Sequence, residues 1–207
     1  MADIQHETLP DSRLHYPKGA STATNNTWMR ANGDGTTTFQ TLPSISLNVT
    51  DTISSESMVD QLLGTVGTEV QLTFGAGATS TNGSVSIAST GEITINEDGL
   101  YYLSGRAFAG RDSSVGVSTL GFSQRVNGIQ AGATVPVLLD SDTDSGTVVV
   151  TEGDVTFIPA GTVITYHMRL FANGGGNNGV LASTWSTAGW SDTPSIRLTI
   201  NKLGAAQ

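Results

Sequence analysis

The alternation of apolar and polar positions divides the chain into a weakly patterned beginning and a strongly patterned remainder. From about Thr68 onward, apolar residues recur at every second position in short runs, the period of strands with one buried face. Such runs are Val70, Leu72 and Phe74; Val85 and Ile87; Ile93 and Ile95; Leu120 to Val126; Val163 to Phe171; and Ile196, Leu198 and Ile200. Further strands are predicted at Gln130–Leu139, Gly146–Thr151 and Asp154–Ile158, the last two flanking Glu152-Gly-Asp154. Asn127-Gly128 and Asn96-Glu-Asp-Gly99 punctuate the runs as turns, because Gly and Asn accept the positive φ of tight hairpins. Pro136 cannot donate to a ladder, which places its run at a sheet edge. Short strands at this spacing predict an all-β sandwich or jelly roll.

The run after Asp98-Gly99 departs from the rule. Leu100, Tyr102, Ser104, Arg106 and Phe108 share one face, and Tyr101, Leu103, Gly105 and Ala107 share the other. A sandwich strand is expected to be polar on its outer face, yet aromatic residues occur here on both. The second face therefore meets another subunit or lies under a loop of its own chain.

Residues 1–43 do not read as a globular domain. Pro10, Pro17 and Pro43 interrupt a polar segment without sustained periodicity. Trp28, Met29 and Phe39 are costly to expose, so this arm is expected to order against a surface. Asn32-Gly-Asp-Gly35 reads as a hairpin turn joining Trp28–Arg30 to Thr37–Phe39. Residues 44–67 form a transition segment with alternating Ile45, Leu47 and Val49 and a short helical spacing over Glu56–Leu63. The globular domain is then 68–207.

Composition narrows the function. Charged residues are 13% of the 207, and the net charge is -9, which excludes duplex nucleic acid as a partner because such binding needs cations against phosphates. Cysteine is absent, so disulfides, thiolate catalysis and cysteine-based zinc sites are excluded. The first residues lack the basic and apolar regions of a signal peptide. No apolar run reaches the ~20 residues of a membrane-spanning helix. Synthesis in a cytoplasm and no membrane insertion are expected. The stretch Asn173-Gly-Gly-Gly-Asn-Asn-Gly179, with its three consecutive glycines, predicts a flexible loop.

Catalytic patterns are missing. There is no Gly-x-Ser-x-Gly elbow and no His-Glu-x-x-His pair. Glu97/Asp98 and Glu152/Asp154 sit at predicted turns, and His167 lies within a strand. No cofactor is expected. Asp140, Asp142 and Asp144 stand at alternate positions in one loop, either as a Ca²⁺ site or as a solvated acidic turn; Gly146 and Glu152 are each one place beyond the EF-hand register. Trp185 and Trp190 flank a Ser/Thr/Gly loop and either stack on sugars or pack on the sandwich rim.

Two resemblances add to this reading. Glu92-Ile-Thr-Ile-Asn-Glu-Asp-Gly-Leu-Tyr-Tyr-Leu-Ser104, followed by Gln124-Arg-Val-Asn-Gly128, Ile158-Pro-Ala-Gly-Thr-Val-Ile164 and Ser195–Leu203, resembles the C1q/TNF-like jelly roll across residues 65–203. That resemblance implies a homotrimer with Leu100, Tyr102, Ser104 and Phe108 toward a threefold axis, and Tyr101 and Leu103 inside the sandwich. Leu14-His-Tyr-Pro-Lys-Gly19 with Thr27-Trp-Met-Arg-Ala-Asn-Gly-Asp-Gly35 resembles the N-terminal arm of tailed-bacteriophage head-fibre and capsid-decoration proteins over residues 12–42. Tyr16 stands where that pattern usually has Glu, and Trp28-Met29 where it has Val-Tyr. The implied function is decoration of a virion exterior, with His15, Pro17, Lys18, Trp28 and Arg30 touching the major capsid protein. The alternative is a tail-fibre or receptor-binding protein that recognises a host glycan through Trp185 and Trp190.

Overall fold

The computed structural model describes residues 27–31, 37–41, 47–112, 116–140, 148–183 and 191–205. The chain divides into two units, 1–46 and 47–207. In the first, β1 (Thr27–Ala31) and β2 (Thr37–Thr41) pair antiparallel, with Ala31 opposite Thr37 and Met29 opposite Phe39. This is the expected hairpin; its turn lies outside the described residues.

The second unit is a jelly-roll sandwich of two antiparallel sheets. Its first sheet centres on β9 (Gly99–Arg111). Both β15 (Ile196–Ala205) and β12 (Val148–Ile158) pair with Leu100–Ala107 of β9, so they occupy its opposite edges. β3 (Leu47–Ser57) lies beyond β15, β14 (Asn178–Val180) pairs with Ala109–Arg111 at the end of β9, and β4 (Gln61–Leu63) lies beyond β14. The second sheet runs β11 (Ile129–Leu139), β10 (Ser118–Val126), β13 (Val163–Ala172), β8 (Ile93–Ile95), β7 (Val85–Ile87) and β6 (Ala78–Thr79), with β5 (Glu69–Gln71) also on β13. Asn127 and Gly128, at φ 50° and 80°, make the tight turn between β10 and β11. Pro136 lies on the edge strand β11 as its missing N–H requires.

The core is formed where the inward residues of the two sheets meet. Tyr101, Leu198 and Ile200 face Ile93, Leu120 and Met168, all at 0–1% exposure. Tyr101 satisfies its buried hydroxyl by donating to the Glu97 carbonyl at 2.7 Å.

Three sequence expectations change. The sandwich begins at Leu47, inside the predicted transition segment, and the helical spacing at 56–63 is realised as the end of β3, a short connection and strand β4. The polarity of β3 concealed an edge strand with a buried inner face whose polar groups are bonded. Asp51, 6% exposed, accepts from Ser80 Oγ and Ser84 Oγ at 2.6 Å each and from the amides of Asn82 and Ser84 at 3.2 Å. Ser55 Oγ donates to the Phe74 carbonyl at 2.6 Å. Second, β12 runs unbroken through Gly153, where a turn was expected; the Tyr102 hydroxyl lies 3.1 Å from where a Cβ would stand. This glycine makes room for a ring instead of turning the chain. Third, the glycine-rich stretch ends in β14; Asn173 and Asn177 bond the loop to Gly64 and Asp112, and Asn178 bonds the Gly176 carbonyl within it.

Two expectations concern stability. Burial alone would raise the Asp51 pKa, but the Ser80 and Ser84 hydroxyls and two amides outweigh it and hold the carboxyl well below its usual range. The unfolded chain therefore takes up this proton first. The stabilisation is complete above the unfolded value of 3.8 and is lost as pH falls below it. Asp51→Ala is expected to cost about 3 kcal/mol in denaturant unfolding at neutral pH. Conversely, Gly105 borders an apolar gap of about 40 Å³ between the sheets, and an added Cβ would meet Leu198 Cδ1 at an ordinary 3.6 Å. Gly105→Ala is expected to stabilise by about 1 kcal/mol, read as a higher melting temperature.

Candidate functional site

The outer face of the first sheet is built by register. Outward from β9, Leu100 has Phe157 of β12 on one side and Leu203 of β15 on the other. Leu203 in turn pairs with Val49 of β3. Four apolar residues therefore stand abreast across four strands, with Phe157 61%, Val49 57% and Leu100 37% exposed. The next row adds Val155 opposite Tyr102. Val49 reaches this row through a β-bulge. The register shifts between Lys202 and Leu203, so that Lys202 opposes inward-facing Asp51 while Leu203 opposes Val49. The extra residue, Thr50, reverses the parity of the strand.

Farther along the face the chemistry becomes polar. Thr52 Oγ1 donates to Asn201 Oδ1 at 2.7 Å, and the hydroxyls of Ser54 and Thr199 are 3.3 Å apart. Beyond them Arg106 opposes Arg197, and Arg197 opposes Glu56. Arg106 lies over the Phe108 ring at 5.8 Å. Phe108 is eight residues from Leu100, or roughly 27 Å along an extended strand. Leu100, Tyr102, Ser104 and Phe108 thus share a face, but Phe108 stands with the arginines and not with the apolar row. Tyr101 and Leu103, expected inside, are 0% and 5% exposed.

Beside the apolar row the two sheets part. A cleft of about 490 Å³ opens there, lined by Leu103, Val126, Phe157, Ile158, Ile164 and Tyr166. Phe157 belongs to both the row and the cleft, so the apolar surface is continuous around the β12 edge.

The remaining candidates stand as follows. His15, Pro17, Lys18, Asp142, Asp144, Trp185 and Trp190 lie outside the described residues. Trp28 and Arg30 are in β1. Asp140 is exposed, and its carbonyl accepts from Arg111 Nη2. Among the described residues no three His, Cys, Asp or Glu side chains converge on a metal position. Of the paired carboxylates, Glu97 bonds Lys202 and Asp98 Oδ1 accepts from the Ala160 amide at 2.6 Å, which makes both structural.

Sequence reasoning missed one network because its members are far apart in the chain. His167 Nδ1 lies 3.0 Å from Glu69 Oε1, which also meets Arg125 Nη2, and His167 Nε2 lies 3.0 Å from Thr165 Oγ1. A hydroxyl, an imidazole and a carboxylate in series is a proton-transfer arrangement. Here the hydroxyl is held within its own sheet, with Thr165 only 9% exposed, and the network secures β5 to β13.

No family model and no curated protein matches this chain. Solved structures give distant likenesses. Murine APRIL is 10% identical over 73% of this chain and 98% of its own, with a TM-score of 0.44. The globular domain of zebrafish complement 1qA is 16% identical over 72% and 93%, with a TM-score of 0.37. Rabbit GITRL is 16% identical over 61% and 84%, with a TM-score of 0.34. The jelly-roll assignment rests on the strand order described above.

The His167 network predicts a pH effect. Burial, and then the Arg125 guanidinium, pull the imidazole below its ordinary 6.5, while Glu69 opposes them. The unfolded state therefore binds this proton more tightly, and stability declines as pH falls below 6.5. Melting temperatures of His167→Asn are expected to fall less steeply over that interval than those of the unaltered protein.

Proposed function

We propose that the chain is a non-enzymatic structural protein of a virion. It forms a homotrimer through the outer face of its first sheet and decorates the exterior of a bacteriophage capsid through residues 1–43. The observation that carries the self-association is the apolar row Phe157–Leu100–Leu203–Val49. The outer face of an antiparallel sandwich is ordinarily polar, and each large apolar side chain fully buried contributes about 1.5–3 kcal/mol. With Phe157, Val49 and Leu100 61%, 57% and 37% exposed, covering this row supplies roughly half of each such increment per protomer. The adjoining cleft offers a neighbour a second, different surface, and unlike surfaces joined head to tail close into a ring when the rotation permits. The occupants are two further copies of the chain; the number three comes from the resemblance of Gly99-Leu-Tyr-Tyr-Leu-Ser104 and its neighbouring motifs to the trimeric jelly rolls.

The virion role is supported by the resemblance of residues 12–42 to head-fibre arms, and by a composition that favours buried surfaces over charged ones. Three arms on one trimer raise the effective concentration of each, so modest contacts from His15, Pro17, Lys18, Trp28 and Arg30 add up to lasting attachment to the major capsid protein. Binding to capsid and to self is the whole mechanism. Neither nucleic acid nor a membrane is a partner, and the protein is synthesised in the host cytoplasm.

Solution mass is expected to be that of a trimer, and Tyr102→Lys with Leu100→Lys is expected to yield folded monomer. A monomeric unaltered protein would sink the self-association reading. Undecorated capsids are expected to retain the full-length protein and to release one lacking residues 1–43; equal retention would reject the arm assignment.

A further inference from the structure

The outer face of the first sheet carries a feature that covering an apolar row does not explain. Arg106 on β9 and Arg197 on β15 are directly opposite each other, and both are exposed. Like charges in that position repel, and cations are scarce in a chain with nine Lys and Arg against eighteen Asp and Glu. Elsewhere among the described residues of the sandwich, cations have evident partners. Arg125 meets Glu69, Lys202 meets Glu97, and the buried Arg111 donates to the Gly116 and Asp140 carbonyls. Arg169 lies over the Phe171 ring at 5.6 Å, as Arg106 lies over that of Phe108 at 5.8 Å, but Arg169 has no second guanidinium opposite it. By contrast, Arg197 approaches Glu56 only to 3.9 Å, with both side chains nearly half exposed. A groove of about 260 Å³ lies over this pair, lined by Arg106, Arg197, Gly105 and the hydroxyl residues Ser104 and Thr199.

We infer that Arg106 and Arg197, with the Ser104 and Thr199 hydroxyls, bind a tetrahedral oxyanion of the phosphate class. A planar guanidinium presents paired N–H donors that match two oxygens of one such anion, and neighbouring hydroxyls donate to the others. The inference rests on the self-association reading of this face. When copies bring their apolar rows together, their arginine pairs approach as well. Burying like charges without counter-charge is strongly unfavourable, and a small multivalent anion supplies that counter-charge. The competing source is a carboxylate on a neighbouring copy, which needs no added ion.

The test uses the full chain exchanged into chloride buffer. Inorganic phosphate and glucose 1-phosphate are titrated by calorimetry at constant ionic strength, with solution mass measured on the same samples. Saturable phosphate binding is expected, with a melting temperature raised by about 5–10 °C at a hundredfold excess over Kd. Arg106→Gln and Arg197→Gln are each expected to weaken binding at least about tenfold, and Glu56→Gln, by removing a competing carboxylate, to tighten it. Binding of inorganic phosphate alone identifies a closed site for the free ion. Equal binding of the sugar ester identifies an open groove for a phosphorylated partner. A trimer without saturable binding, or with binding unchanged in both arginine variants, overturns the anion site and leaves self-association standing. A monomer that binds phosphate through the two arginines keeps the site and removes the axis, and a monomer without binding removes both.

Discussion

The structure depends on the parity of β9. This strand is paired along Leu100–Ala107 on both edges, so neither edge is free and only its two faces remain to be assigned. Tyr101 and Leu103 point into the core, and Tyr102 and Leu100 point out of it. A slip of one residue would exchange the two sets. It would bring Arg106 into the core and expose Tyr101, whose hydroxyl is bonded inside at Glu97. The strong apolar character of the inner face therefore fixes what the outer face displays.

Buried polar groups hold the rest in place. Asp51 on the first sheet collects hydroxyls and amides from Ser80–Ser84, next to the strands β6 and β7 of the second. It ties the two layers at one end with charge-assisted bonds, which are stronger than neutral ones. The neighbouring bulge is part of the same arrangement. It lets Asp51 face inward opposite Lys202 while Val49 turns outward opposite Leu203. One extra residue, Thr50, thus joins a core anchor to the exposed apolar row.

Much of the sandwich was legible in the sequence where alternation was strong. Ile93 and Ile95, Leu120 to Val126 with its Asn127-Gly128 turn, and Ile196 to Ile200 lie in strands as predicted, and Pro136 marks an edge. The failures share one cause, which is that polar or flexible residues were satisfied by partners distant in sequence. Asp51 and Ser55 look solvated until Ser80, Ser84 and Phe74 are brought beside them. Gly153 reads as a turn until the Tyr102 ring is placed over it. Asn178 reads as loop until β9 and β4 flank it. The outer face was half legible: Leu100 and Tyr102 followed from their own strand, whereas Val49 depended on a bulge and Phe157 on the pairing of β12.

A trimer held through the outer face of the first sheet requires that face to be covered in solution. Hydroxyl-radical footprinting of the full-length protein tests this directly by comparing Phe157, on that face, with Phe171 of β13. In the isolated chain Phe157 is 61% exposed and Phe171 50%. Oxidation of Phe157 and Tyr102 several times slower than that of Phe171 is the result predicted. Oxidation of Phe157 at least as fast as Phe171, following the isolated-chain exposures, would contradict it.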